Sequence, residues 1–97
     1  MKEEIESILN EGINEAILLN DLDFLRAAIA TARKYYLTPF NININQEQAA
    51  SLIKMLLGLA EPYDIEKDLR HTKKNPFPIF TYDGVCFFLI RENQNEI

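Results

Sequence analysis

Residues 76–91 read PFPIFTYDGVCFFLIR, and this stretch carries the most structural information in the chain. Asp83-Gly84 separates two apolar runs. This dipeptide is typical of a two-residue β-hairpin loop, because both central positions of a type I′ turn need positive φ. The sequence therefore predicts a hairpin with these opposed pairs: Tyr82 and Val85, Thr81 and Cys86, Phe80 and Phe87, Ile79 and Phe88.

Both faces of the predicted hairpin are apolar. Alternation gives one face Phe80, Tyr82, Val85, Phe87 and Leu89. It gives the other face Phe77, Ile79, Cys86, Phe88 and Ile90. A hairpin with one solvated face would alternate apolar and polar residues, and an isolated two-stranded ribbon is only marginally stable. We therefore expect one face to cover the core and the other to be covered by another part of the chain or by another molecule.

Composition predicts one globular domain over residues 1–97, with a frayed tail at 93–97. The chain is 47% hydrophobic and 26% charged, with a net charge of −5. This acidic balance argues against generic polyanion binding, which depends mostly on Lys and Arg.

The single cysteine and the apolar runs bear on location. Cys86 is expected to be a buried, unreactive thiol, and the absence of paired cysteines favours a cytoplasmic protein. Glu3, Glu4 and Glu6 do not fit a signal peptide, and the apolar runs are too short for a membrane helix.

Helical periodicity appears first over residues 3–19. Its apolar stripe comprises Ile5, Ile8, Leu9, Gly12, Ile13, Ala16 and Ile17. Gly12 on this stripe has two interpretations. It could allow the close approach of another helix, or it could be a tolerated glycine that weakens the helix by about 1 kcal/mol relative to alanine.

Further elements follow in order along the chain. Asn20-Asp21 is a helix start, and Thr38-Pro39 is expected to end that helix near Leu37. Its predicted stripe is Leu22, Leu25, Ile29, Ala32 and Tyr36, with Phe24 and Ala28 alongside. The alternating residues 40–45 predict an edge strand, which should join the hairpin in a three-stranded antiparallel sheet.

The third helix is predicted from Asn45, with Gln48 completing a capping-box variant, to a stop at Pro62. Its predicted buried face is Ala49, Leu52, Ile53, Leu56, Leu57 and Ala60. A fourth helix is predicted from Tyr63 or Asp64, a candidate cap, to Lys74.

The predicted order of elements in the whole chain is α-α-β-α-α-β-β. Without the first helix, the order α-β-α-α-β-β over residues 21–91 resembles the winged helix-turn-helix. The resemblance implies an α+β fold of four helices and a small three-stranded antiparallel sheet. It also implies a supporting helix at 45–60, a recognition helix at 63–74 and a wing tip at 82–84. The additional helix at 3–19 would then be accessory or serve dimerisation.

The resemblance implies a duplex-DNA interface formed by Lys67, Arg70, His71 and Lys74. Residues 67–74 hold four basic residues against one acidic residue, a local charge of +3. Asp64, Glu66 and Asp68 would repel phosphates, and the wing tip carries Asp83 rather than a cation. The alternative is a solvated helix whose basic end complements its own dipole.

No catalytic constellation is evident in the sequence, and we expect no enzyme, cofactor or metal site. His71 and Cys86, each the sole residue of its type, fall in different predicted elements. No pair of Cys or His residues has zinc spacing, and the three glycines do not form a phosphate loop.

The sequence favours a small acidic interaction module that self-associates, as a homodimer, and binds a protein partner as an adaptor, inhibitor or regulatory subunit. The alternative is a dimeric winged-helix DNA-binding regulator, and a third possibility is an enzyme subunit completed by a partner. The expected interface residues are Ile5, Leu9, Ile13, Phe77, Ile79, Phe88 and Ile90.

Overall fold

The structure, a computed structural model, describes residues 2–35 and 40–91. Within them, the elements run as predicted, and the α+β class is confirmed. The helices are α1 Lys2–Leu19, α2 Leu22–Arg33, α3 Gln46–Leu57 and α4 Glu66–Leu69. The strands are β1 Phe40–Ile44, β2 Phe77–Tyr82 and β3 Val85–Leu89. This arrangement is compatible with a winged-helix-like one.

The hairpin turn is the predicted type, because Asp83 has φ 53° and Gly84 has φ 85°. Three predicted cross-strand pairs are confirmed: Tyr82 and Val85, Thr81 and Cys86, Phe80 and Phe87. The fourth pair is wrong, because a bulge between Pro78 and Phe80 places Pro78 opposite Phe88.

The bulge at Ile79 also corrects the predicted faces of β2. An extra residue in one strand shifts the alternation of every residue beyond it. Phe77 accordingly lies opposite Leu89, and both Phe77 and Ile79 pack against the core instead of lying on the outer face. On β2, the positions that face away from the core are Pro78 and Thr81, which are both exposed.

The sheet has the strand order β1-β3-β2, so β1 lies at an edge as predicted. The antiparallel expectation is wrong for this strand, because β1 pairs in parallel with β3. The register joins Ile42 to Phe87 and Ile44 to Leu89. A parallel pair requires a long crossover, and the segment that contains α3, α4 and β2 provides it.

Helix α1 packs its predicted stripe into the core, with one exception. Ile8 is 58% exposed, whereas Leu9, Ile13 and Ala16 are at most 1% exposed. A Cβ added at Gly12 would lie 2.7 Å from Cβ of Ala28 in α2, which supports the close-approach interpretation of this glycine.

The N-terminal ends of α2 and α3 are capped as predicted. The Asp21 carboxylate accepts hydrogen bonds from the N–H groups of Asp23 and Phe24. Asn45 and Gln48 form a reciprocal capping box.

Both helices end earlier than predicted. Helix α2 ends at Arg33 rather than near Leu37, and Thr38-Pro39 lies outside the described residues, as does the tail at 93–97. Helix α3 ends at Leu57, because Gly58 adopts the left-handed conformation at φ 68° before Pro62 is reached. Leu57 is consequently 65% exposed rather than buried, and Ala60 lies beyond the helix and is exposed.

Helix α4 is much shorter than predicted, with four residues in place of a span from 63 or 64 to 74. Ile65 occupies the N-cap position without a side-chain hydrogen bond, so Asp64 does not cap this helix. Ile65 and Leu69 anchor this short helix to the core, since Ile65 is 2% and Leu69 is 6% exposed.

Candidate interaction surfaces

The residues expected at an interface on α1 lie inside the single chain. Ile5 is 5%, Leu9 is 1% and Ile13 is 0% exposed, and all belong to one core cluster. Phe77 and Ile79 pack against the same cluster through the β2 bulge. Ile5, Leu9 and Ile13 are therefore covered by their own chain, whereas Phe77 and Ile79 are only partly buried. None of the five is among the exposed large hydrophobic residues.

The side of the sheet that faces away from the core remains open. We define the outer sheet face as the six residues that point outward from the strands: Asn41, Asn43, Pro78, Thr81, Cys86 and Phe88. Four of them are exposed, while Cys86 and Phe88 in the central strand are partly buried by their neighbours. Ile90 follows Phe88 by alternation and is 40% exposed.

Cys86 belongs to this outer sheet face and is not a core thiol. Its sulfur accepts a hydrogen bond from the Thr81 hydroxyl, with Oγ1 to Sγ at 3.6 Å. The inward neighbours Val85 and Phe87 are at most 1% exposed, whereas Cys86 is intermediate. The expectation of a fully buried thiol is therefore wrong.

The hairpin tip is fastened to α2 by two arginines. Arg33 donates to the carbonyl of Asp83 at 3.2 Å, and its guanidinium lies close enough to Gly84 that an added Cβ would be 3.2 Å from Cζ. Arg26 donates to the Tyr82 hydroxyl at 3.2 Å and pairs with Asp23. The Tyr82 hydrogen bond is the main cause that raises the pKa of Arg26. The position predicted to be a wing tip is thus engaged within the chain.

The predicted nucleic-acid residues share one exposed segment but not one helix. Lys67 lies in α4, with its ammonium nitrogen 4.9 Å from the centre of the Tyr63 ring. Arg70, His71 and Lys74 follow the helix, and all are exposed. The recognition helix implied by the resemblance is reduced to a single turn.

Arg91 holds this segment to the end of β3. Its guanidinium donates to the carbonyls of Leu69 at 3.2 Å, Thr72 at 2.6 Å and Lys74 at 3.3 Å. The Asn75 side chain also bonds the main chain of Arg91, accepting from its N–H at 2.9 Å and donating to its carbonyl at 3.1 Å. Sequence reasoning missed Arg91, because main-chain carbonyl acceptors produce no recognisable side-chain pattern.

An open groove of about 930 Å³ lies between the start of α3, residues 63–70 and the end of β3. Its lining mixes carboxylates of Glu47, Asp64 and Glu66 with the guanidiniums of Arg70 and Arg91. Across the described ranges, no three His, Cys, Asp or Glu residues are grouped so as to hold a metal ion. The groove therefore offers mixed polar contacts and has no single charge preference.

A second open groove, the α1–β1 groove, has a volume of about 450 Å³ and is lined by Glu6, Ser7, Asn10, Glu11, Ile42 and Asn43. It is bounded by a polar network that sequence reasoning identified only at its capping box. The side-chain amide of Gln48 donates to Asn10 at 3.0 Å and to Asn14 at 2.7 Å. Asn10 in turn donates to the carbonyl of Asn43 at 3.4 Å, which links α1 to the edge of β1.

None of the helices in residues 2–35 and 40–91 has both the length and the apolarity needed to cross a bilayer. Compared with known proteins, the chain matches no family model, no curated protein sequence and no solved structure.

Proposed function

We propose that the protein is a small acidic interaction module that self-associates through its outer sheet face and binds a protein partner. The observation that carries the proposal is the absence of charge from this face. The chain has 25 ionisable Asp, Glu, Lys and Arg side chains, 15 acidic and 10 basic, yet none lies among the six residues of the face. Two copies with a net charge of −5 each repel one another, and an uncharged face is where they approach at least cost.

The chemistry of this face suits a modest interface. Phe88, expected at an interface from the sequence, provides the apolar centre with Cys86, and Asn41, Asn43 and Thr81 provide a polar rim. Ile90, also expected at an interface, follows Phe88 beyond the end of β3 and is 40% exposed. Six residues are fewer than the 20–30 a side that a standard protein interface takes, so the dimer is expected to dissociate at low concentration.

Sedimentation velocity over a range of concentrations tests self-association. The variant Thr81→Glu introduces a carboxylate at an exposed position of the outer sheet face on β2, and it is expected to weaken the dimer strongly. Ala27→Glu adds the same charge at an exposed position of α2 and should leave the dimer intact. A wild-type protein that stays monomeric at high micromolar concentration would remove this part of the proposal.

The proposed role in a cell is that of an adaptor, inhibitor or regulatory subunit. It is tested by identifying a protein that copurifies with the wild type and rebuilding the complex from the two purified components. A complex that forms with the wild type and with the α2 control, but not with the outer-face variant, would place the partner on the same surface as the dimer.

A dimeric winged-helix DNA-binding regulator is the second candidate. It is favoured by the exposure of Lys67, Arg70, His71 and Lys74 within one short segment. Binding to duplex DNA would weaken steeply with salt and would be lost in Arg70→Ala with Lys74→Ala, but kept in Lys34→Ala with Lys54→Ala. If the protein retards no duplex at low salt, this candidate is eliminated.

A further inference from the structure

The two edges of the sheet are protected very differently. On β2, Pro78 and the bulge at Ile79 interrupt the outer edge, and proline has no N–H to donate. The β2 residues opposite Val85, Phe87 and Leu89 direct their main-chain N–H and carbonyl groups toward β3. By alternation, Pro78 and Thr81 direct their main-chain groups away from β3, to the outer edge. The β2 edge is therefore unsuited to pairing with another strand.

The β1 edge has no such interruption. The carbonyl of Ile44 accepts from the N–H of Ile90 at 2.8 Å, so Ile44 directs its main-chain groups to β3. By alternation, Asn41 and Asn43 direct theirs outward. The carbonyl of Asn43 already accepts a hydrogen bond from the side-chain amide of Asn10. Within the described part of the chain, the N–H and carbonyl of Asn41 and the N–H of Asn43 have no hydrogen-bond partner.

The space beside this edge is the α1–β1 groove, and its charge is of one sign. Among the residues that the structure describes, its ionisable lining residues are Glu6 and Glu11, and no Lys or Arg lines it. A strand that paired with β1 would place alternate side chains on the side of α1, next to these carboxylates. Lysine or arginine at those positions would be complementary to the groove, and a second copy of this acidic chain would not be.

We infer that the edge of β1 is a docking site for an extended, cationic segment of a protein partner, which adds a strand beside Asn41 and Asn43. The main chain of the segment supplies the affinity through hydrogen bonds to β1, and its basic side chains form ion pairs with Glu6 and Glu11. The main chain of Asn41 and Asn43 forms this site, while their side chains belong to the outer sheet face. The two proposals are distinguished by Glu6 and Glu11, which only the docking site uses, and by Thr81 and Phe88, which only self-association uses. Because few outward main-chain groups are open, the site accepts a short segment.

The probe is a fluorescein-labelled pentapeptide with the sequence Lys-Val-Lys-Val-Lys, titrated with the full chain and followed by fluorescence anisotropy. Amide chemical shifts of the ¹⁵N-labelled protein locate its binding. We expect the largest shifts at Asn41 and Asn43, and no binding of the Glu-Val-Glu-Val-Glu peptide. The version with every main-chain amide N-methylated should not bind, because neither of its edges can donate to β1.

Matched variants of α1 test the charge requirement. Glu6→Gln with Glu11→Gln should weaken peptide binding by about tenfold, because two exposed ion pairs are removed. Glu4→Gln with Glu15→Gln makes the same charge change at exposed positions of α1 outside the groove and should have little effect. Phe88→Ser, on the outer sheet face, should leave peptide binding unchanged.

The inference would be overturned if amide shifts at Asn41 and Asn43 were absent at millimolar peptide, or if the N-methylated peptide bound as tightly as the unmodified one. It would also be overturned if the two pairs of α1 variants weakened peptide binding equally. Concentration-dependent shifts without peptide that are confined to Asn41 and Asn43, with Thr81, Cys86 and Phe88 unshifted, would overturn it by showing that a second copy pairs with this edge.

Discussion

Gly12 lies where α1 passes closest to α2, and its lack of a side chain sets that distance. We expect Gly12→Ala to lower the free energy of unfolding by about 1–2 kcal/mol. An added Cβ would lie 2.7 Å from Cβ of Ala28, and the overpacking outweighs the helix propensity gained. Urea denaturation gives the value, and Gly12→Ala with Ala28→Gly should recover most of the loss. A single variant as stable as the wild type would contradict the close approach.

Gln48 joins the start of α3 to α1 through one buried side chain that is 8% exposed. It accepts from the N–H of Asn45 at 2.9 Å and donates to Asn10 and Asn14. We expect Gln48→Met to cost about 1–3 kcal/mol of unfolding free energy, because the apolar chain leaves these groups unpaired.

The matched control for Gln48 is Gln46→Met, on the first turn of the same helix but exposed. Its effect should stay within about 0.5 kcal/mol. Equal losses in the two variants, measured by urea denaturation, would mean that the network with α1 does not stabilise the fold.

At the scale of elements, Arg91 supplies hydrogen bonds to main-chain carbonyls that a longer α4 would have satisfied internally. It donates to the carbonyls of Leu69, Thr72 and Lys74. We expect Arg91→Met to speed amide hydrogen exchange in this segment about tenfold or more, since charge-assisted bonds to three main-chain groups are lost. Exchange measured by mass spectrometry or NMR tests this. Arg70→Met, at an exposed arginine of the same segment, is the control, and unchanged exchange in Arg91→Met would contradict the role.

The elements that local sequence predicts correctly are those whose cause is local. Asp83-Gly84 defines its turn, and Asn45 with Gln48 defines the start of α3, whatever the rest of the chain does. The bulge at Ile79 has no equally local cause, because the run around it reads as an uninterrupted strand. For this reason the predicted second apolar face is wrong on β2, where Phe77 and Ile79 pack against the core, but correct on β3, where Cys86 and Phe88 face outward.

The other errors in the predicted elements have causes at a distance in sequence. The segment that follows α4 is hydrogen-bonded to Arg91, which is 22 residues from Leu69. The parallel direction of β1 depends on how the crossover returns the chain, which periodicity does not encode. The apolar residues of α1 were assigned to an interface because an amphipathic stripe has the same sequence pattern whether it packs against its own chain or against a partner.

At the scale of the whole molecule, the dimensions of 40 × 32 × 19 Å match one layer of helices on one sheet. Such a molecule has one sheet face against the core and one face left over. The outer sheet face of this molecule contains no charged residue, while the groove at its β1 edge is lined by the carboxylates of Glu6 and Glu11. The two proposed surfaces should therefore respond to salt in opposite directions.

We expect added NaCl to strengthen self-association and to weaken binding of the cationic peptide. Raising the salt from about 0.01 M to about 1 M shortens the Debye length from about 30 Å to about 3 Å, which screens the repulsion between two copies with a net charge of −5. The same screening removes the attraction between the peptide and Glu6 and Glu11. Sedimentation and anisotropy in the same buffers measure the two constants. A dimer that weakens with salt would have to be held by ion pairs, and the outer sheet face has none to offer.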